Sequence, residues 1–339
     1  MRPHSPSRLV ATCAAVLALV AAGCGSSEQA GAPGAQPQTQ TPTRIFAADN
    51  GEVSIPVAPQ RIVATGYAVP ALIETDAPLV GISTWERGIP LMSPEDEATY
   101  DGLEKVAGEL ATETDYEAIA RVDPDLIVIG VPAPILTDVD VELLESVAPV
   151  VAIGPTIPSK WREVSQRQAD AAGVLPAFDA LRGEYEAKAA GLEEKYAPVV
   201  GPLRFGHLGA YGEVARGTFQ REFDGSWGTN VLNDLGVTYY GQVREPGPGS
   251  RAVSEYTSLE ELQASLGEAE VITYSAEPDG SVREGVRQVL DSPLWQLLPA
   301  VQAGRTVPIR YTEAATYKAA LTALDAADEA LAPLMSPPA

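Results

Sequence analysis

Short apolar runs alternate with helical stretches in two separate blocks of this 339-residue chain, and one long helical segment stands between the blocks. In the first block, residues 62–64, 79–82, 126–129 and 150–153 have the length and composition of buried strands, and helices fit 70–74, 116–121 and 140–147. In the second, strands at 203–208, 237–239, 271–274 and 306–309 interleave with helices at 228–235, 259–266, 282–290 and 317–334. Such alternation predicts parallel sheets covered by helices. Residues 159–196 are helical in pattern, with Gly173 and Pro176 predicting a bend or break. The expected fold class is therefore α/β, with two Rossmann-like lobes joined by a long helical stretch and a ligand cleft between them.

The N-terminus places the chain in the cell. Arg2 and Arg8 precede an apolar run over 9–20, too short and wrongly flanked to span a bilayer. The ending Leu19-Val20-Ala21-Ala22-Gly23-Cys24 resembles a bacterial lipoprotein signal, with Cys24 the lipid-bearing first residue of the mature chain and Ala21 standing where Leu is usual. Plain secretion is the alternative, and both place the mature chain outside the cytoplasm. Residues 25–43 are rich in Gly, Ser, Gln, Pro and Thr, as a flexible tether is. The expected organisation is a signal peptide at 1–23, a tether at 24–43, a first lobe at 44–158, a linker helix at 159–197 and a second lobe at 198–339. A hairpin is expected around Asp49-Asn50-Gly51. With Cys13 removed and Cys24 lipidated, no intramolecular disulfide is available.

Composition excludes several classes. A formal net charge of -23 disfavours nucleic acid, which needs clustered Lys and Arg. His207 alone would remain after processing, so the imidazole clusters of zinc and manganese sites are missing, and its strand-like surroundings suit a packed residue. No Gly-rich phosphate loop follows a candidate strand and no Gly-x-Ser-x-Gly elbow is present. With few acid-base or nucleophilic groups left, the chain is expected not to be an enzyme and to need no cofactor.

Three stretches carry a family resemblance: Ile55-Pro56-Val57-Ala58-Pro59-Gln60-Arg61-Ile62-Val63, then Tyr116-Glu117-Ala118-Ile119-Ala120-Arg121-Val122-Asp123-Pro124-Asp125-Leu126-Ile127-Val128, and Ser292-Pro293-Leu294-Trp295 leading to Ala300-Val301-Gln302-Ala303-Gly304-Arg305. In order and spacing they resemble the periplasmic-binding-protein superfamily, specifically the siderophore, haem and cobalamin class of ABC-importer substrate-binding proteins. The resemblance implies two lobes bridged by a rigid helix, with little closure on binding. It also implies one Glu per lobe that meets permease subunits: Glu117 in the first and Glu260 in the second, with Glu261 as a substitute for Glu260. The segment Ile73-Glu74-Thr75-Asp76-Ala77-Pro78 departs from the family, which more often has Leu-Gly there, and is expected to leave the cleft untouched.

Ligand contacts belong at the carboxyl ends of strands, where loops open into a crevice. Tyr67, Trp85, Arg87 and Pro132 occupy such places in the first lobe; in the second, Tyr211 and Tyr311 follow strands, Trp227 opens a helix, and Ser250 and Arg251 lie in a Gly- and Pro-rich loop, with Tyr274 and Arg310 as further candidates. Aromatic walls and an Arg donor suit a ferric siderophore, whose iron is already wrapped by oxygen ligands. Arg87 is the foremost candidate, since related hydroxamate binders place an arginine in the matching loop. The tandem Tyr239 and Tyr240 would point to opposite strand faces and so are not expected to ligate bare iron together. The expected function is a monomeric, extracytoplasmic, lipid-anchored protein that passes a ferric siderophore, hydroxamate type favoured, to an ABC importer. Cobalamin or haem capture is the alternative within the class, and an adhesion or signalling lipoprotein the alternative outside it.

Overall fold

The computed structural model describes residues 42–335. The signal peptide expected at 1–23, the lipidation expected at Cys24 and most of the expected tether lie outside the described residues.

The first lobe opens with a hairpin, β1 (Thr43–Ala48) and β2 (Gly51–Pro56), paired antiparallel around Asp49 and Asn50. Those two turn residues pin it to the lobe. The Asp49 amide donates to the Ala152 carbonyl at 2.8 Å, and the Asn50 side chain bonds Val150 and Ala152 at 3.0 and 2.9 Å. The chain then runs through β3 (Ile62–Gly66), α1 (Ala68–Ile73), β4 (Leu79–Ser83), α2 (Pro94–Gly102), β5 (Lys105–Ala107), α3 (Tyr116–Arg121), β6 (Leu126–Gly130), α4 (Val141–Glu145) and β7 (Val150–Ala152). The sheet is parallel with order β5-β4-β3-β6-β7. Its central strands β3 and β6 are largely apolar, and β6 is buried throughout, because helices cover both faces.

Two helices carry the chain across: α5 (Trp161–Ala171) and the 26-residue α6 (Leu175–Val200). They are broken between Ala172 and Val174. Gly173 takes the left-handed conformation, φ 74°, and the Val174 amide reaches back to the Ala169 carbonyl at 2.9 Å, closing the end of α5. Pro176 then sits in the first turn of α6, where its missing N–H costs nothing.

The second lobe comprises β8 (Phe205–Leu208), β9 (Thr218–Glu222), α7 (Asn230–Asn233), β10 (Ser254–Ser258), α8 (Leu262–Leu266), β11 (Val271–Ser275), α9 (Glu284–Leu290), α10 (Pro299–Gln302), β12 (Thr306–Ile309) and α11 (Tyr317–Leu331). Its sheet, ordered β10-β9-β8-β11-β12, is mixed: β8, β11 and β12 are parallel, whereas β9 runs antiparallel to both β8 and β10. This corrects the expectation of a parallel sheet in the second lobe. The strand expected at 237–239 contributes only an isolated bridge from Tyr239 to Phe205. Strands β9 and β10 lack apolar runs, since Gln220, Arg221, Glu222, Ser254 and Thr257 are buried polar residues; Glu222 accepts the Gly228 amide, Ser254 donates to the Ser250 carbonyl, and Arg221 bonds carbonyls through its two terminal nitrogens while its Nε has no partner.

His207 on β8 is fully buried, bonding the Thr273 hydroxyl through Nδ1 at 2.7 Å and the Ser275 hydroxyl through Nε2 at 3.1 Å. Burial, with Arg221 nearby, lowers its pKa to about 3, so it remains a neutral packing residue although Glu222 lies 3.6 Å away. Tyr239 packs on Phe205 and His207, and Tyr240 turns away to donate to the Ser265 carbonyl at 2.7 Å.

Candidate functional site

Tyr67 leaves β3 at its carboxyl end and is held there by its amide, which donates to the Gly130 carbonyl at 2.9 Å. Trp85 leaves β4 in the same direction, its amide donating to the Tyr100 hydroxyl at 2.8 Å. The two rings meet edge to face with centroids 4.8 Å apart. Gly88 makes room for the indole: a Cβ there would lie 2.0 Å from the Trp85 Nε1. Over these rings lies the Arg87 guanidinium, 4.1 Å from the Trp85 centroid and 5.1 Å from that of Tyr67, while its Nε pairs with Glu109 at 3.1 Å. Burial raises the Tyr67 pKa, against the opposing pull of Arg87.

The second lobe presents Trp227 just ahead of α7. Its ring lies parallel to Tyr67, at an interplanar angle of 4° and a centroid distance of 6.2 Å. Tyr211 follows β8, and its hydroxyl donates to Glu313 at 2.5 Å while Arg283 covers its ring at 4.7 Å. Burial and the Glu313 charge push the Tyr211 hydroxyl up to about 12.

Between these walls the floor is the start of α11. The Glu74 carboxylate, contributed by the first lobe, accepts the amides of Tyr317 at 3.2 Å and Lys318 at 3.0 Å. Thr316, in the N-cap position, makes no capping bond through its own side chain, so Glu74 fills that role from the opposite lobe. Burial pushes Glu74 up to about 7 despite those hydrogen bonds. Beside it the Lys318 ammonium reaches Asp96 of α2 at 2.7 Å. Tyr67, Trp85, Arg87, Tyr211 and Trp227 thus surround one cleft of about 730 Å³, counting the part open to solvent, with Glu74 and Lys318 on its floor. Ile73 and Glu74 line the cleft, which corrects the expectation that the segment 73–78 leaves it untouched.

A profile of the family described as periplasmic binding protein matches residues 62–310, well over half of the chain. The chain belongs to this family. Its members are substrate-binding proteins of transport systems, not enzymes.

The chain is 23% identical over 224 residues to the iron(3+)-hydroxamate-binding protein YxeB of Bacillus subtilis, a match spanning 66% of this chain and 64% of that relative. A siderophore periplasmic binding protein from the fuscachelin gene cluster of Thermobifida fusca is 27% identical with a TM-score of 0.65, covering 81% of this chain and 97% of its own. SirA of Staphylococcus aureus, solved with staphyloferrin B, shares the fold at 19% identity and a TM-score of 0.66, over 86% of this chain and 99% of its own.

Not all of the residues expected in the binding-protein cleft gather there. Tyr311 lines an adjoining recess with Arg87, Glu277 and Arg283. Tyr274 packs edge-on against Trp295 at 6.5 Å, as part of the second lobe's core. Arg310 pairs with Glu329 at 2.5 Å. Pro132 begins the turn after β6, accepting the Ile135 amide at 2.8 Å, and Ser250 and Arg251 are exposed in the loop before β10; all three stand apart from the cleft. Sequence reasoning missed Glu313, although it lies in the loop after β12, where the same strand-end rule applies. Glu74 and Asp96 sit on helices and offered no such signal.

Glu117 is exposed in the first turn of α3, and Glu260 is exposed at the turn after β10. Glu261 is instead held by Arg244 at 3.0 Å and by the Thr257 hydroxyl. Among the described residues, no group of three or more His, Cys, Asp or Glu could hold a metal ion, and no helix is long and apolar enough to cross a membrane.

Proposed function

We propose that this protein captures a ferric siderophore outside the cytoplasm and passes it to an ABC importer, with hydroxamate chelates preferred. The observation that carries this reading is the facing pair Tyr67 and Trp227, one from each lobe, with Trp85 and Arg87 completing the wall. A chelate whose iron is already wrapped asks for flat apolar surface and a few donors, and the cleft offers both. Arg87, stacked but half-exposed, keeps donors for iron-bound oxygens. Similarity to relatives named for iron(3+)-hydroxamate and siderophore binding supports the assignment. The cargo is substrate throughout, with no cofactor involved.

Delivery rests on Glu117 and Glu260, exposed carboxylates on separate lobes that can orient the complex and speed its formation. A lipid on Cys24 and the tether to residue 43 would hold the monomer at the membrane while leaving it free to reach the permease. The test is tryptophan fluorescence during titration with ferric hydroxamates, ferric catecholates, cobalamin and haemin. Quenching by a ferric hydroxamate at micromolar concentration is expected; a response to cobalamin or haemin alone would replace the substrate, and none at all would remove the reading.

A further inference from the structure

Three cations around the cleft are each paired with a carboxylate. Arg87 pairs with Glu109 at 3.1 Å, and Lys318 pairs with Asp96 at 2.7 Å. Arg283 is committed through Nε to Glu277 at 2.5 Å. Each of these carboxylates balances one cation, and Glu74 is taken up by the backbone amides of Tyr317 and Lys318. Glu313 remains. Its second-lobe neighbours are the Tyr211 hydroxyl at 2.5 Å and Arg283 at 3.4 Å, a cation it must share with Glu277. Its side chain is 24% exposed and lines both the main cleft and the adjoining recess. The charge of Glu313 is felt across the gap, where it helps to raise the pKa of Tyr67 in the opposite lobe.

An aromatic wall does not discriminate by charge, because ring faces accept any flat surface. A partly desolvated carboxylate in excess does so, strengthening contact with a cation and penalising an anion in the same place. Resting on the reading of this cleft as a chelate site, we propose that Glu313 makes it selective for ferric chelates of net charge zero or +1, and that Glu313 receives a protonated amine carried by the ligand outside its iron-binding groups. Tyr211 positions the carboxylate by donating to it, and Arg283 holds the Tyr211 ring from the other side. The iron core then lies toward Tyr67, Trp85 and Trp227, with the pendant amine toward the recess lined by Tyr311.

The test uses one linear ferric trihydroxamate with a terminal amine, its N-acetyl derivative and its N-succinyl derivative, which carry the same iron core with charges of +1, 0 and -1. Calorimetric titration at low ionic strength should rank the amine first and the succinyl derivative last. The amine-to-acetyl preference should be about fivefold, the scale of one partly screened ion pair. In Glu313→Gln that ratio should fall toward one, and in Glu313→Asp it should persist. Equal affinities for all three chelates, or an undiminished preference in Glu313→Gln, would overturn the charge assignment while chelate capture stands. Failure of all three to bind would overturn both.

Discussion

The carboxylate of Glu74, at the end of α1 in the first lobe, accepts the backbone amide of Lys318 at 3.0 Å in the first turn of α11 in the second. One side chain thus caps a helix across the cleft. Together with the Lys318–Asp96 pair, it fixes the spacing of the two lobes at the floor of the site.

Removing that cap should loosen the molecule. Glu74→Ala leaves two buried amides without an acceptor, and a loss of about 2 kcal/mol is expected. Urea unfolding at pH 5 reads it directly. A midpoint unchanged from wild type would mean that water replaces the carboxylate and that the cap does not hold the lobes.

Titration of Glu74 gives a second outcome. Its pKa rises from 4.5 to about 7 on folding, so the stability it contributes is fully present below pH 4.5 and is lost as pH rises through 7. Glu222, also raised to about 7 by burial, acts in the same direction. His207 acts oppositely: with its pKa lowered from 6.5 to about 3, the stability of its neutral ring is present above 6.5 and lost as pH falls toward 3. Between pH 4.5 and 6.5 the two acids outweigh the one histidine, so wild-type stability should fall as pH rises. Glu74→Gln removes one of the two acids, leaving Glu222 to offset His207. Relative to wild type it should gain on the order of 3 kcal/mol between pH 5 and pH 8. Parallel slopes for the two proteins would show that Glu74 does not titrate in that window.

The fluorescence response should be divided unequally among the four tryptophans. Trp85 and Trp227 line the cleft, whereas Trp161 and Trp295 are buried in the two cores of the second lobe. Replacing both Trp85 and Trp227 with Phe should abolish most of the ligand-induced quench. It should also weaken binding by about tenfold, as expected for reduced aromatic contact. Full quenching in that double variant would place the ligand elsewhere.

Docking predicts a separation of capture from uptake. The paired change Glu117→Ala with Glu260→Ala should abolish siderophore-dependent growth while the purified protein still binds its chelate. Undiminished growth would remove the docking role, and a change at Glu261 would be the next comparison.

Residue pattern alone determined the α/β class and the two blocks joined by helices, because a buried parallel strand must be apolar on both faces and therefore stands out. It also pointed to Tyr67, Trp85, Arg87 and Tyr211, since strand ends open toward a crevice, and to Trp227 through its place at the start of a helix. Strands β9 and β10 escaped notice because their buried residues are polar, and only the fold shows which neighbours satisfy them. The charge balance of the cleft was likewise decided by tertiary structure. Arg87 meets Glu109, Lys318 meets Asp96, and Glu74 meets the start of α11 only when segments distant in sequence are brought together. Periodicity reports which face of an element is buried. It carries no information about what lies across the gap.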